Sequence, residues 1–432
     1  MCGKFRERTR NVSLVATVES KLLSDLALAN MGKLPNTEGE CISIVGGELF
    51  NKGAQAMTFT VVDQMAKRYP EKDVYLLSRE DYERDDAEKS QYNFEILPWG
   101  SEIHLSLLSQ YSNITNTSSY STRETESVRS VLKNSCMLID INGFALSSQM
   151  GARTSFAYLT NIMIAKEFRI PMYILPQSIG PFSYSESVKL LLNPLLQTYL
   201  KYPDIVCPRE KAGIKALAPY VQSNVRREFD IVLQTEQYDL DNVYVSEPDI
   251  KQKDIESDAV GIVPNSRVFE RTNADSLYDL YESSIAELLD SGKSVYILRH
   301  SIEDLNLCEE IKDRVGDSNE VYLLKENLSA PELEHIIKQF EFLIGSRYHS
   351  IIHAYKHGVP AIAIGWAAKY EELLDEFGQS KYFYEGRNEI GVDDFVDTVN
   401  TMNERWKDES RIIQNKVDNI QQNDIFGSLC PQ

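Results

Sequence analysis

The stretch Phe342-Leu343-Ile344-Gly345-Ser346-Arg347-Tyr348-His349-Ser350 decides the fold. Three apolar residues, a glycine and a short polar run read as a buried strand, a turn and a helix starting near Ser350. The unit repeats at once, with a strand Ala361 to Ile364, a turn Gly365 to Ala368, and Lys369 opening the next helix. In a parallel sheet both turns fall at the carboxyl edge, where open α/β folds bind ligands. Helix N-termini there carry unpaired N–H groups and partial positive charge. Arg347, His349 and Lys369 gathered at such an edge describe a small-anion site, with Tyr348 between them. A surface turn with solvated charges is the plain alternative.

Working outward, the same rhythm fills most of the chain. Upstream strands are expected at Ala259–Val263, Ser294–Leu298 and Val321–Leu324, with helices between, one of them Ala274–Leu289 capped by Asn273. An earlier set runs Cys41–Val45, Val74–Leu77, Phe94–Leu97, Cys136–Ile141, Met172–Leu175, Ile205–Cys207 and Phe229–Leu233, the last carrying Asp230. Strand–helix alternation of this kind implies doubly wound parallel sheets. Tyr238 to Asp258 is acidic and polar, holds Pro248 and shows no apolar period. The resulting division is an extension over 1–39, expected to be mobile, a first Rossmann-like domain over 40–238, an acidic linker over 239–257, a second Rossmann-like domain over 258–390 and a charged helical segment over 391–432. Two such domains facing across a cleft make a GT-B-like α/β fold. The Ser/Thr/Asn-rich run Ser112 to Ser127 is expected to be an exposed loop, a flap over that cleft.

Composition narrows the function. A length of 432 residues favours two domains. The formal charge of −20 argues against nucleic acid as a partner, so an anionic substrate needs a local cationic cluster. Cys2, Cys41, Cys136, Cys207, Cys308 and Cys430 are scattered and form no C-x-x-C pair, which favours reduced thiols over disulfides or zinc. No apolar run approaches the ~20 residues of a spanning helix. Met1 to Arg10 is basic but has no apolar core behind it, so no signal peptide is expected. The expected location is the cytoplasm, with at most peripheral contact at the inner face of a membrane.

The strand exits carry the chemistry. Arg209 follows one in the first domain, and Arg267, Arg347, His349 and Lys369 follow others in the second. Arginine grips carboxylate or phosphate bidentately, so a substrate bearing both would suit them, phosphoenolpyruvate among others. A histidine beside a phosphate can carry a proton near neutrality and act as an acid. Asn51, in the turn that follows Gly46-Gly47 after the first strand, where the glycine spacing is not G-x-G-x-x-G, either faces the cleft or caps a helix. Gln177 lies in the stiff turn Pro176-Gln177-Ser178-Ile179-Gly180-Pro181-Phe182, which suits a binding-site wall. His349, His353 and His357 recur at i, i+4, i+8, but no carboxylate or thiol is arranged with them in sequence, so no metal is expected. No Walker loop, G-x-S-x-G elbow or D-x-D at a strand exit is present.

Gly345-Ser346-Arg347-Tyr348-His349-Ser350, the block Gly358 to Ile364 with Lys369, and Leu175 to Phe182 together resemble the signature of the polysaccharide pyruvyltransferase family, with Arg209-Glu210 and Phe229-Asp230 in matching order. The likeness runs from about 42 to 378. It implies a GT-B-like transferase that moves pyruvate from phosphoenolpyruvate onto two hydroxyls of a sugar, lipid-linked or polymeric, with no resident cofactor. Arg209, Arg347 and His349 would then bind the donor, His349 would be the acid, and Lys369 would stand at donor or acceptor, with Tyr348, Asn51, Gln177 and Arg267 as further substrate contacts. Tyr348 stands where that family often has leucine. Two other readings remain open. One is a nucleotide-sugar glycosyltransferase using Glu371 or Glu372 on a ribose, and the other is a non-catalytic binding protein on the same fold. Oligomeric state is not legible.

Overall fold

The structure, a computed structural model, describes residue 21 and residues 39–108, 120–250, 253–316 and 318–429. The rest of the extension over 1–39 and residues 112–119 of the expected loop lie outside these. The first sheet comprises β1 (Cys41–Val45), β2 (Asp73–Leu77), β3 (Glu95–Leu97), β4 (Ser135–Asp140), β5 (Met172–Gln177) and β6 (Ile205–Pro208), in the order β3-β2-β1-β4-β5-β6. The second comprises β7 (Ala259–Val263), β8 (Ser294–Leu298), β9 (Val321–Leu324), β10 (Phe342–Gly345), β11 (Ala361–Gly365) and β12 (Phe383–Glu385), in the order β12-β11-β10-β7-β8-β9. Both orders are the same 3-2-1-4-5-6 winding, and every paired strand is parallel. Strands covered on both faces become continuous apolar runs, and β1, β10 and β11 are buried along their whole length. Each sheet has a switch point where winding reverses, between β1 and β4 in one domain and between β7 and β10 in the other. Ligand crevices of doubly wound sheets open there.

Besides the unexpected edge strand β12, three segments differ from expectation. Phe229–Leu233 is not a strand, because Asp230 caps a short helix, Ile231–Gln234, by accepting the N–H of Val232 at 3.0 Å. That helix lies between the domains, against the helices Lys52–Arg68, Tyr348–Lys356 and Val392–Gln421. Residues 122–127 are not loop. Ser121 and Glu124 form a capping box that starts a helix, Thr122–Asn134. The linker's first part is not free of packing, since Tyr238 and Tyr244 place their rings edge-on to Phe59 at 6.1 and 5.5 Å.

Several contacts clamp the domains together. The helix Val392–Gln421 buries Phe395, Val399, Met402, Ile413, Val417 and Ile420 along one stripe, each fully buried side chain being worth about 1.5–3 kcal/mol. The chain beyond it returns to the first domain, where Asp424 pairs with Arg68 at 2.6 Å and the Leu429 carbonyl accepts from Tyr69 at 2.5 Å. Across the cleft, Gln55 accepts the Ala330 N–H at 2.8 Å. Glu372 of the second domain accepts the N–H groups of Lys211 and Ala212 at 2.6 and 3.1 Å, occupying the N-terminus of the first-domain helix Lys211–Leu217. Glu376, one turn on, meets Lys211 at 2.8 Å and Arg227 at 3.0 Å, with Lys416 at 3.7 Å.

Because Lys211 is largely exposed, the Glu376 cluster is a screened one. Glu376→Ala should lower unfolding free energy by on the order of 1 kcal/mol. Thermal unfolding at low salt should show the loss, and at about 1 M salt the difference should nearly vanish. A loss unchanged by salt would mean that packing, not charge, holds this rim.

Candidate active site at the domain cleft

The turn after β10 is held from below. The Ser346 carbonyl accepts from Asn265 Nδ2 at 2.8 Å and from the Tyr370 hydroxyl at 3.1 Å, and its Oγ lies 3.0 Å from the Tyr281 hydroxyl. Arg347 is the N-cap and Tyr348 the first residue of the helix Tyr348–Lys356. The Arg347 guanidinium is engaged within its own domain. Its Nε donates to Asp304 Oδ2 at 2.8 Å, a second nitrogen bonds the other Asp304 oxygen, and Glu303 lies at 3.1 Å. Asp304 in turn accepts the Ser266 N–H at 3.0 Å, which fixes the pair to the exit of β7.

Arg209 arrives from the exit of β6 and is also matched. It is buried, pairs with Asp230, and donates to Ser178 Oγ at 2.8 Å and the Gly143 carbonyl at 3.0 Å. Its guanidinium carbon sits 4.7 Å from the centroid of Tyr348, and Lys369 Nζ lies 4.7 Å from the same ring. Such cation–ring contacts are favourable by about 0.5–2 kcal/mol each. Tyr348, a second-domain residue, is thus the surface on which both cations rest.

His349 completes the cluster. Its Nε2 lies 3.6 Å from Asp230 Oδ2 and has no hydrogen-bond partner among the described residues. Burial first, then the nearby Arg209, His353 and Lys369, hold this imidazole well below its usual value, so it is neutral at neutral pH in the free protein. The first domain presses directly on it, because a Cβ at Gly53 would fall 2.1 Å from His349 Nδ1. Only glycine lets the helix Lys52–Arg68 approach this ring.

Lys369 is the cation without a carboxylate. Its ammonium makes no ion pair and no hydrogen bond among the described residues, and rings surround it, with Phe144 at 4.9 Å and Tyr370 at 5.7 Å. Burial, then the charge on Arg209, push its pKa down to about 7. Lys52 behaves similarly. It is buried without an ion pair among the described residues, and burial followed by Arg84 pushes it down to about 8.

The structure therefore brings Arg209, Tyr348, His349 and Lys369 together, with Arg347 beside them and paired to acids. It does not bring in the remaining candidates. Asn51 is exposed and caps the helix Lys52–Arg68, accepting from Gly53 N–H at 3.1 Å. Gln177 is fully buried and donates to Asp140 at 3.1 Å. Arg267 is exposed, 3.6 Å from Glu270. Sequence reasoning singled out neither Asp230 as a partner of Arg209 nor Asp304 as a partner of Arg347. A buried guanidinium demands a carboxylate, which was a signal that one exists but not which one. A carboxylate also stands with the spaced histidines. Glu334 lies 2.8 Å from His357, 2.7 Å from Lys356 and 3.5 Å from His353, and those partners hold it well below the usual carboxylate range although burial opposes this. Among the described residues no group of three His, Cys, Asp or Glu side chains is placed to hold a metal ion, and no helix is long and apolar enough to cross a membrane.

Two Rossmann-like domains with a cation cluster between them make a GT-B-like architecture. The UDP-GlcNAc 2-epimerase of Methanocaldococcus jannaschii superposes with a TM-score of 0.52 at 11% identity, covering 87% of this chain and 98% of its own. The UDP-GlcNAc 2-epimerase of Neisseria meningitidis bound to UDP-GlcNAc gives 0.52 at 11%, covering 88% and 97%. At such identity the likeness is one of fold. No curated protein matches the sequence. The family profile of polysaccharide pyruvyl transferases matches residues 51–367, and the chain belongs to that family.

Two outcomes follow from this geometry. Burial lowers the Lys369 pKa to about 7, so sulfate, whose own charge stays constant over this range, should stabilise the protein more at about pH 6 than at about pH 8, read by thermal shift. Lys369→Met should weaken that binding about tenfold or more and flatten the dependence. Gly53→Ala should cost about 1–3 kcal/mol and move the His349 ring resonances, read by calorimetry and NMR. Unmoved His349 signals would contradict the close approach.

Proposed function

We propose that this transferase moves the pyruvyl group of phosphoenolpyruvate onto two hydroxyls of a sugar in a cell-surface polysaccharide or its precursor, forming a cyclic ketal and releasing phosphate. The observation that carries the reading is the pairing of Lys369, a half-buried ammonium with no ion pair among the described residues, with the Nε2 of His349, likewise without a hydrogen bond there, beside Arg209. The family membership supports the same reaction class.

The donor's charge is met by Lys369 and His349, with Arg209 and Arg347 behind them. An incoming phosphate favours the imidazolium form of His349, so binding takes up a proton. That proton passes to the methylene carbon of the donor, which becomes a methyl group and leaves an oxocarbenium-like C2. The first sugar hydroxyl bonds to C2 and releases its proton. The C2–O bond to phosphorus then breaks, phosphate leaves, and the second hydroxyl closes the ring. Of the two hydroxyl protons, one replaces that given to the methyl group and one leaves as hydrogen phosphate. The cationic surroundings stabilise phosphate as its charge develops.

The test is phosphate release from phosphoenolpyruvate in the presence of a panel of sugar acceptors, with formation of a pyruvate ketal followed by mass spectrometry. His349→Ala should abolish ketal formation, a loss of about a hundredfold or more, while phosphoenolpyruvate still gives a thermal shift. Stabilisation by nucleotide sugars and not by phosphoenolpyruvate would instead favour glycosyl transfer. Identical behaviour of His349→Ala and the native chain would sink the mechanism.

A further inference from the structure

Beside Lys369 the cleft widens into a cavity of about 550 Å³, within the range of about 300–1,000 Å³ typical of small-molecule sites. One wall is first-domain, from the turn Ser178 to Phe182 and the helix Lys211–Leu217, and the other is second-domain, at Ala367, Ala368 and Lys369. Its polar end is formed by Ser178, Glu210 and Lys369. Glu210 and Lys369 also border the small space around Arg209, Asp230 and Tyr348, so the cavity adjoins the cation cluster. Glu210 Oε1 accepts from Ser178 Oγ at 2.7 Å, whereas Oε2 accepts no hydrogen bond within the described chain.

Apart from the exposed Gln149 and Lys215, the remainder of the lining has little to offer a hydroxyl. Ile179, Pro181, Phe182, Ala216, Pro219 and Tyr220 make most of it, Phe182 and Tyr220 meeting edge-on at 5.6 Å. An oligosaccharide laid along these walls would lose water from its hydroxyls without replacement bonds. An apolar group there gains by burial. An exposed apolar side chain lies on the helix to which Tyr220 is bonded. The Tyr220 hydroxyl donates to Asn193 at 2.9 Å, and on the same helix, Glu186–Tyr199, Leu190 one turn earlier is 77% exposed.

We propose that this cavity binds the acceptor as a glycoside with an apolar aglycone, the aglycone lying on Phe182, Pro219 and Tyr220 and the sugar's reactive hydroxyls standing at Glu210 and Lys369. The position of the hydroxyls rests on the pyruvyl-transfer reading. The occupancy of the apolar walls does not.

Calorimetric titration of the full chain with paired methyl and octyl β-pyranosides of glucose, galactose and mannose, below micelle formation, tests it. At least one octyl glycoside should bind tenfold or more tightly than its methyl partner. Ala368→Trp and Ala212→Trp change exposed residues on opposite walls, and each should remove most of that gain. Equal affinities of the pairs would overturn the proposal. So would a gain that survives both tryptophans, which marks adsorption elsewhere, or octan-1-ol binding as tightly as the octyl glycosides, which leaves no role for the sugar. Donor chemistry is absent from this measurement. An octyl gain with no phosphate release from phosphoenolpyruvate would therefore sink pyruvyl transfer and keep the cavity's assignment.

Discussion

The buried ion pair between Arg209 and Asp230 is the interaction on which the cleft depends. A guanidinium out of water without a carboxylate costs several kcal/mol, so neither residue can be moved alone. Asp230 also caps the short helix Ile231–Gln234 wedged between the domains, and it lies 3.6 Å from the imidazole of His349. One carboxylate thus sets a first-domain cation, an interdomain helix and a second-domain histidine in register. Tyr348 covers the same guanidinium from the opposing domain.

The charge around the pair is unevenly satisfied. Arg209 and Arg347 are matched by Asp230 and by Asp304 with Glu303, so they orient the site without presenting bare charge. Lys369 and His349 keep unmet capacity, and burial weakens the charged form of each. An anion entering there restores what burial removed. On the proposed pyruvyl transfer, its binding would be coupled to proton uptake ahead of the proton transfer to the donor. The closed rim at Glu372 and Glu376 keeps water from the cluster while leaving open the larger space between Ser178 and Ala368.

Much of the fold was legible because parallel strands buried on both faces become unbroken apolar runs, and Val260 to Val263 or Leu343 to Ile344 admit little else. The misread segment Phe229–Leu233 has the same apolar look, yet Asp230 turns it into a capped helix, since a side chain accepting the N–H two residues on competes with strand pairing. β12 was missed because Phe383-Tyr384-Glu385 is short and only half-buried. The candidate site was legible where chemistry sits at strand exits, as with Arg209, Arg347, His349 and Lys369. It was not legible where a residue's partner is distant in sequence. Asn51 was open to a cleft or a capping role and spends its side chain on the cap, while its neighbour Gly53 is what admits the second domain's histidine.

By itself the sequence determined two doubly wound parallel sheets, because those follow from local periodicity and from where polar residues interrupt it. Tertiary structure alone decided which cations are spent and which are free. Arg347 meets Asp304 across 43 residues, Arg209 meets Asp230 across 21, and Lys369 rests on rings with no ion pair among the described residues. Charge matching is a property of distance in space, and no spacing along a chain reports it.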